Sequence, residues 1–369
     1  MSRPPGAGVD ATWTDVLPPS LDGVIDWRLA NSVARMVASA TPAPDVPMTG
    51  FASEVDAFAA RSAELVSGYT GLDGGGALPS PETVDRGGWA ATNLGSMRSV
   101  LDPVADRVGG GAGPLSGPLR ALTGTLLAVE VGALSGFLAA RVLGQYEFPV
   151  LDPDVPARLL FVGPNLAAAA KSLDADDQAL TRWVALHETT HALQFGGVPW
   201  LRAHLASRVG ELVSGLDVDV DLRKVLRMPG AADLRALVET VRRGELITLV
   251  AGPQRRALLD ELQATMALLE GYAEHVMDAV GEQVLPDLDA LRSGLERRRR
   301  ERSGFFRLLE KLIGLDLKLR QYEQGKAFCD AVVAEGGIEG LNRAWAHPEN
   351  LPTLADLDDP SGWLRRVSA

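Results

Sequence analysis

Two histidines four residues apart, His187 and His191, bracket Glu188 inside the run from Trp183 to Leu193, which contains no helix breaker. On an α-helix such residues lie about 40° apart around the axis, so both imidazoles aim at one point with Glu188 beside them. The feature therefore demands a helix, and a second element that comes to meet it. Two neutral imidazoles bind Zn²⁺ well, and a third protein ligand would leave one position for water, whose proton Glu188 could take as it attacks a carbonyl. The chemistry of that arrangement is hydrolysis. With 5 His and 48 Asp plus Glu among 369 residues, random placement yields such a motif less than about 1% of the time. The competing reading is a buried helix whose histidines are satisfied by hydrogen bonds. Leu180, Trp183 and Val184 share the histidine face, while Leu186 and Leu193 add apolar character elsewhere, so burial is expected on either reading.

A third ligand should come from another helix that turns a carboxylate or imidazole inward. The stretch from Pro253 to Val280 suits this, since Gly252-Pro253 fits a helix start and Gly281 a stop. At 100° per residue, Leu259, Leu262, Met266, Leu269, Ala273, Val276, Met277 and Val280 form one apolar stripe with Glu270 and Glu274 at its edge. A carboxylate leaning into a core asks for a cation or hydrogen-bond donors, and solvated rim residues are the plainer alternative. His275 falls on the opposite face and is the weaker ligand candidate.

The run Leu269-Glu270-Gly271-Tyr272-Ala273-Glu274 resembles the Glu-Gly-aromatic-Ala element that supplies the third zinc ligand in gluzincin metallopeptidases. Taken with the segments from His187 to Phe195, from Lys318 to Lys326 and from Asn350 to Thr353, it is similar to the actinobacterial zincin-like family formerly called DUF2342, whose members are labelled coenzyme F420 biosynthesis-associated proteins or hydrolases. The similarity runs from Asp26 to about Trp363. The resemblance implies a mainly α, zincin-like metallohydrolase with a small β element, acting on a peptide or other amide-containing substrate. It makes His187, His191 and Glu270 the Zn²⁺ ligands and Glu188 the general base. Glu274, four residues beyond the third ligand, would hold a ligand histidine in place. His191 and Glu270 lie farther apart along the chain than in the best-known gluzincins, so helices must be inserted between the motif halves. Gluzincins also use a Tyr or His to stabilise the oxyanion, and no motif here fixes which residue that is. Tyr322 is the first candidate, because it shares a helical face with Leu319, Gly325, Cys329 and Val333; a core tyrosine is the alternative. A non-catalytic metal scaffold, or an accessory protein of F420-related cofactor metabolism, is the competing functional reading. A fourth protein ligand from Glu274, His204 or His275 would favour the scaffold, because structural zinc sites are closed.

The chain is long enough to bury a substantial core, and its hydrophobic fraction of 46% is ordinary for a folded protein. A single cysteine, Cys329, excludes an intramolecular disulfide and suits a reducing compartment. A net charge of −12 argues against nucleic-acid binding, and Arg297 to Arg300 with Arg302 read as a solvated helix face. No apolar segment follows Met1 as a signal peptide would, so a cytoplasmic location is expected. Ala121 to Ala139 is apolar enough to raise the question of a membrane, but Glu130 lies near its middle and Gly132 and Gly136 suit a tight helix crossing. A wholly buried helix and no membrane are expected.

Four regions are expected: a flexible segment 1–20, a helical region 21–150, the metal-binding region 151–350, and a tail 351–369. Helices are expected near 24–40, 53–69, 88–108, then to 143 after the Gly109–Gly113 break, and near 200–215, 231–243, 285–301 and 316–334. Residues 157–163, Ala-Arg-Leu-Leu-Phe-Val-Gly, are the clearest strand. By resemblance this is the zincin edge strand that pairs with an extended substrate, and a buried structural strand is the alternative.

Overall fold

The structure is a computed structural model that describes residues 24–44, 46, 48–74, 78–109, 116–214, 253–284, 293–294 and 315–368. The expected flexible segment 1–20, the helix near 231–243, nearly all of the one near 285–301 and the arginine cluster lie outside the described residues. Among the described residues, the fold is mainly α with one three-stranded sheet. It divides into two compact units, one of residues 1–43 and 84–142, the other of residues 44–83 and 143–369.

In the first unit, α1 (Trp27–Ser39) starts at Asp26, whose carboxylate accepts from the backbone N–H groups of Arg28 and Leu29. It buries Trp27, Ala30, Ala34 and Ala38, one stripe at helical spacing. The glycines of the helix Ser116–Ala139 meet that stripe. A Cβ on Gly124, Gly132 or Gly136 would run into the backbone carbonyl of Val24, Ala30 or Ala34. The small-residue crossing expected from the sequence is therefore present, yet complete burial is not. Leu122 and Leu126 are 58% and 56% exposed and Val129 is exposed beside them, because glycine spacing buries one face only. Ala121–Ala139 remains long and apolar enough to cross a membrane. The helix Arg86–Gly109 completes the unit, where Asp102 accepts from the Trp27 indole N–H at 2.9 Å.

The second unit is assembled around one helix. We number its elements with those of the first in chain order: α2 (Met48–Thr70), β1 (Pro81–Val84), α3 (Arg86–Gly109), α4 (Ser116–Ala139), β2 (Gly144–Glu147), β3 (Arg158–Val162), α5 (Gly163–Leu173), α6 (Asp177–Gly197), α7 (Leu201–Ser214), α8 (Pro253–Val280), α9 (Leu315–Asn342), α10 (Leu354–Leu357) and α11 (Pro360–Ser368). Asp176 caps α6 by accepting from the N–H groups of Gln178 and Ala179, and α6 is then buried on nearly every side, from Leu180 to Gln194. Although α2 comes early in the chain, it belongs to this unit, because Val55, Ala59 and Val66 join the same core as Leu180, Trp183 and Val184.

The strand expected at 157–163 forms as β3, but it is the centre of the sheet rather than an edge, with order β1-β3-β2. Its unbroken run Leu159–Val162 is wholly buried, as a strand covered on both faces should be. β2 runs antiparallel to it, Gly144 opposite Phe161 and Glu147 opposite Arg158, and takes one edge, with β1 at the other.

α8 has the expected bounds. Its apolar face differs, because Met266 is exposed while Leu268 and Tyr272 are fully buried. The helix is packed on a second side, where Gly271 meets the backbone at Gly325 of α9 and Gly325 meets the carbonyl of Ala267. The expected tail is also a packed element: Thr353 and Asp356 form a capping box, and Trp363 is buried with its ring edge-on to Phe328 of α9.

Candidate metal centre

α6 and α8 bring three donors to one point. The Nε2 atoms of His187 and His191 are 3.3 Å apart, and each is 3.7 Å from Glu270 Oε2. Helical periodicity explains the first pair, and Glu270 completes the set from across the α6–α8 contact. A tetrahedral ion bound at about 2.0–2.2 Å separates its ligand atoms by about 3.3–3.6 Å, so these three edges fit a zinc ion. The donor chemistry fits as well. His187 turns Nδ1 toward Met277 Sδ at 3.3 Å, and His191 turns Nδ1 toward Gln194 Oε1 at 2.8 Å, which leaves both Nε2 atoms facing the carboxylate. The Trp183 indole lies parallel to the His187 ring at 6.0 Å.

The charges say the same. Burial pushes the His191 imidazole down, but the Glu270 carboxylate outweighs it and, with Glu188 and Gln194, lifts His191 to about 9. The cluster thus attracts positive charge, which a doubly charged ion would satisfy more fully than a proton. The side chains of His187, His191 and Glu270 are 18%, 11% and 18% exposed, so solvent reaches the cluster. Among the described residues, no fourth His, Cys, Asp or Glu joins it.

Glu188 is beside the cluster and outside it. Its Oε2 accepts the Tyr146 N–H of β2 at 2.7 Å. Burial raises its carboxyl to about 7, opposed by His191 and by that hydrogen bond, with Glu270 adding to the rise. The strand can come this close because residue 144 is glycine. A Cβ there would sit 2.6 Å from Val184 Cγ1 and 2.9 Å from Glu188 Cγ.

Glu274 lies one turn beyond Glu270 on α8, half-buried. Tyr322 falls in α9, with its side chain outside the described residues. His275 is engaged elsewhere, 2.8 Å from Tyr69 Oη through Nε2 and 2.7 Å from Asp330 through Nδ1. His204 faces Glu261 at 3.3 Å. Neither histidine is a fourth ligand. Sequence reasoning missed Gln194, Met277, Gly144 and the Tyr146 N–H. The spacing of Gln194 three residues after His191, and of Met277 seven after Glu270, places each beside a ligand and could have flagged it. Nothing in the sequence marks which strand N–H meets Glu188.

A helix carrying two histidines and a carboxylate, crossed by a second helix that supplies a glutamate, defines the zincin class of metallohydrolases. The chain belongs to the zincin-like metallopeptidase family, whose model matches residues 25–364. It is also similar to a crystal structure from Chloroflexus aurantiacus, of a protein provisionally described as a hydrolase with a novel fold. The TM-score is 0.69 at 30% identity, over 93% of this chain and 99% of that one. No curated protein matches the sequence.

Proposed function

We propose that the protein is a zinc-dependent hydrolase that cleaves an amide bond, most simply a peptide bond, with His187, His191 and Glu270 holding the ion and Glu188 acting as general base. The observation that carries this reading is the separation of roles: three donors converge, solvent reaches them, and a second carboxylate, Glu188, stands next to them without joining. Zinc, when bound, supplies a Lewis acid that polarises a carbonyl and brings the pKa of water toward neutrality. The chain's own residues do the rest. Glu188, anchored through Oε2 by the Tyr146 N–H, keeps its other oxygen for the proton of the attacking water. That oxygen can take the proton and later return it to the leaving amine. The substrate-pairing role expected of residues 157–163 passes to the edge strand β2, which borders Glu188. Glu274 is proposed to hold a ligand histidine and Tyr322 to stabilise the oxyanion, the latter supported by its place on α9 one turn before the Gly325–Gly271 contact with α8.

Two substitutions test the assignment together. Glu188→Gln should keep zinc stoichiometry and melting temperature near wild type while hydrolysis of a peptide library falls by about 10²–10⁴-fold. His187→Ala should lose the metal. Loss of zinc from Glu188→Gln as readily as from His187→Ala would make Glu188 a structural ligand and sink the catalytic reading. A wild type that keeps its zinc and is as inert as both variants would favour the scaffold.

A further inference from the structure

We propose that Gln194 is a positioning residue for the metal centre: it fixes His191 in the tautomer that leaves Nε2 bare and ties that ring to the peptide preceding Glu270. The proposal rests on reading the cluster as a zinc centre. The Gln194 side chain is fully buried, and both ends of its amide are engaged. Its Nε2 donates to the Leu269 carbonyl at 3.1 Å. A backbone carbonyl can only accept, so turning the amide over would set Oε1 against another oxygen. The orientation is thereby settled by the backbone: Oε1 must be the atom 2.8 Å from His191 Nδ1. An amide oxygen also only accepts, so Nδ1 must carry a proton. In the neutral ring, Nε2 then holds the lone pair, and Nε2 is the atom that faces His187 and Glu270.

The consequence reaches across the site. One side chain links the ring of one ligand, on α6, to the peptide immediately before another ligand, on α8. Both the protonation pattern of His191 and the spacing between the two ligand-bearing helices depend on it. The plainer role is a buried staple between helices that has no effect on the metal. The two roles separate because the acceptor toward His191 and the donor toward Leu269 are different atoms.

The experiment measures zinc affinity of the full chain by competition with a chelator, for wild type, Gln194→Met and Gln194→Glu. Methionine keeps the volume and removes both hydrogen bonds, whereas glutamate, protonated on the oxygen that faces the Leu269 carbonyl, keeps an acceptor for the Nδ1 proton. Gln194→Met should bind zinc about 10 to 100-fold more weakly, and Gln194→Glu should recover most of that loss. Long-range ¹H–¹⁵N spectra of the zinc-loaded wild type should show the His191 proton on Nδ1. Wild-type affinity in Gln194→Met, or a His191 proton on Nε2, would overturn the proposal and leave the metal centre standing. A wild type that takes up no zinc would overturn both. Should Gln194→Met fail to fold, the wild-type spectrum and Gln194→Glu still decide: a Gln194→Glu chain that melts like wild type but binds zinc 10 to 100-fold more weakly counts against the role.

Discussion

Two helix crossings in this chain bring backbones or side chains into close contact by opposite means. Where α4 meets α1, three glycines seat directly against the carbonyls of Val24, Ala30 and Ala34. Where α6 meets α8, the contact carries polar groups, among them His191, Gln194 and Glu270, each of which would be costly to bury alone. The glycine crossing needs nothing more than shape. The polar crossing needs every donor matched to an acceptor and three lone-pair donors matched to a cation. Its polar groups are burdens to folding that packing alone does not explain, and so they point to function.

The comparison can be broken first at the glycine crossing, where the largest loss of stability is expected. Gly132→Val would press a branched side chain into the Ala30 carbonyl, and overpacking of this kind typically costs about 1–3 kcal/mol. Denaturant unfolding should register that loss, while zinc stoichiometry of the folded protein stays unchanged. A stable variant would mean that the crossing is loose.

A smaller effect is expected in the polar network on the other side of α8. Burial would raise the Asp330 carboxyl, but the Lys326 hydrogen bond and His275 outweigh it and hold the group below its ordinary value. A depressed carboxylate contributes stability above its unfolded pKa and loses it as pH falls through its folded pKa. Asp330→Asn should therefore destabilise at neutral pH, by no more than about 1 kcal/mol because the group is partly exposed. The gap from wild type should close in strong acid. A gap that persists unchanged there would show that the aspartate acts by packing rather than charge.

The smallest effect should come from the outer face of α4. Leu126→Gln exchanges an exposed apolar side chain for a polar one, and the change in stability should stay within about 0.5 kcal/mol. A larger loss would reveal that this face is covered in solution.

The sequence reveals local periodicity well and spatial order poorly, and the site divides along that line. His187 and His191 are set by one helix, and Glu270 by the pattern of another, so all three could be named before their meeting was visible. The bounds of α8 were equally legible, since Gly-Pro and Gly punctuate them. The order of strands was not. An apolar run such as Leu159–Val162 says that both faces are buried and is silent on which neighbours flank it, so β3 was expected at the edge that β2 occupies. The C-terminal helices were missed because their signal is weak: α10 is four residues long, and Trp363 is a single anchor. The role of Gln194 depends on a carbonyl 75 residues away, which no local pattern contains.

The central claim is that His187, His191 and Glu270 hold one zinc ion that Glu188 approaches without touching. Diffraction data collected at the zinc absorption edge from zinc-loaded crystals test it most directly. The account predicts one anomalous peak about 2.0–2.2 Å from the Nε2 atoms of both histidines and from a Glu270 oxygen, with Glu188 outside bonding distance. A peak elsewhere, or one that has Glu188 in place of Glu270, would contradict it.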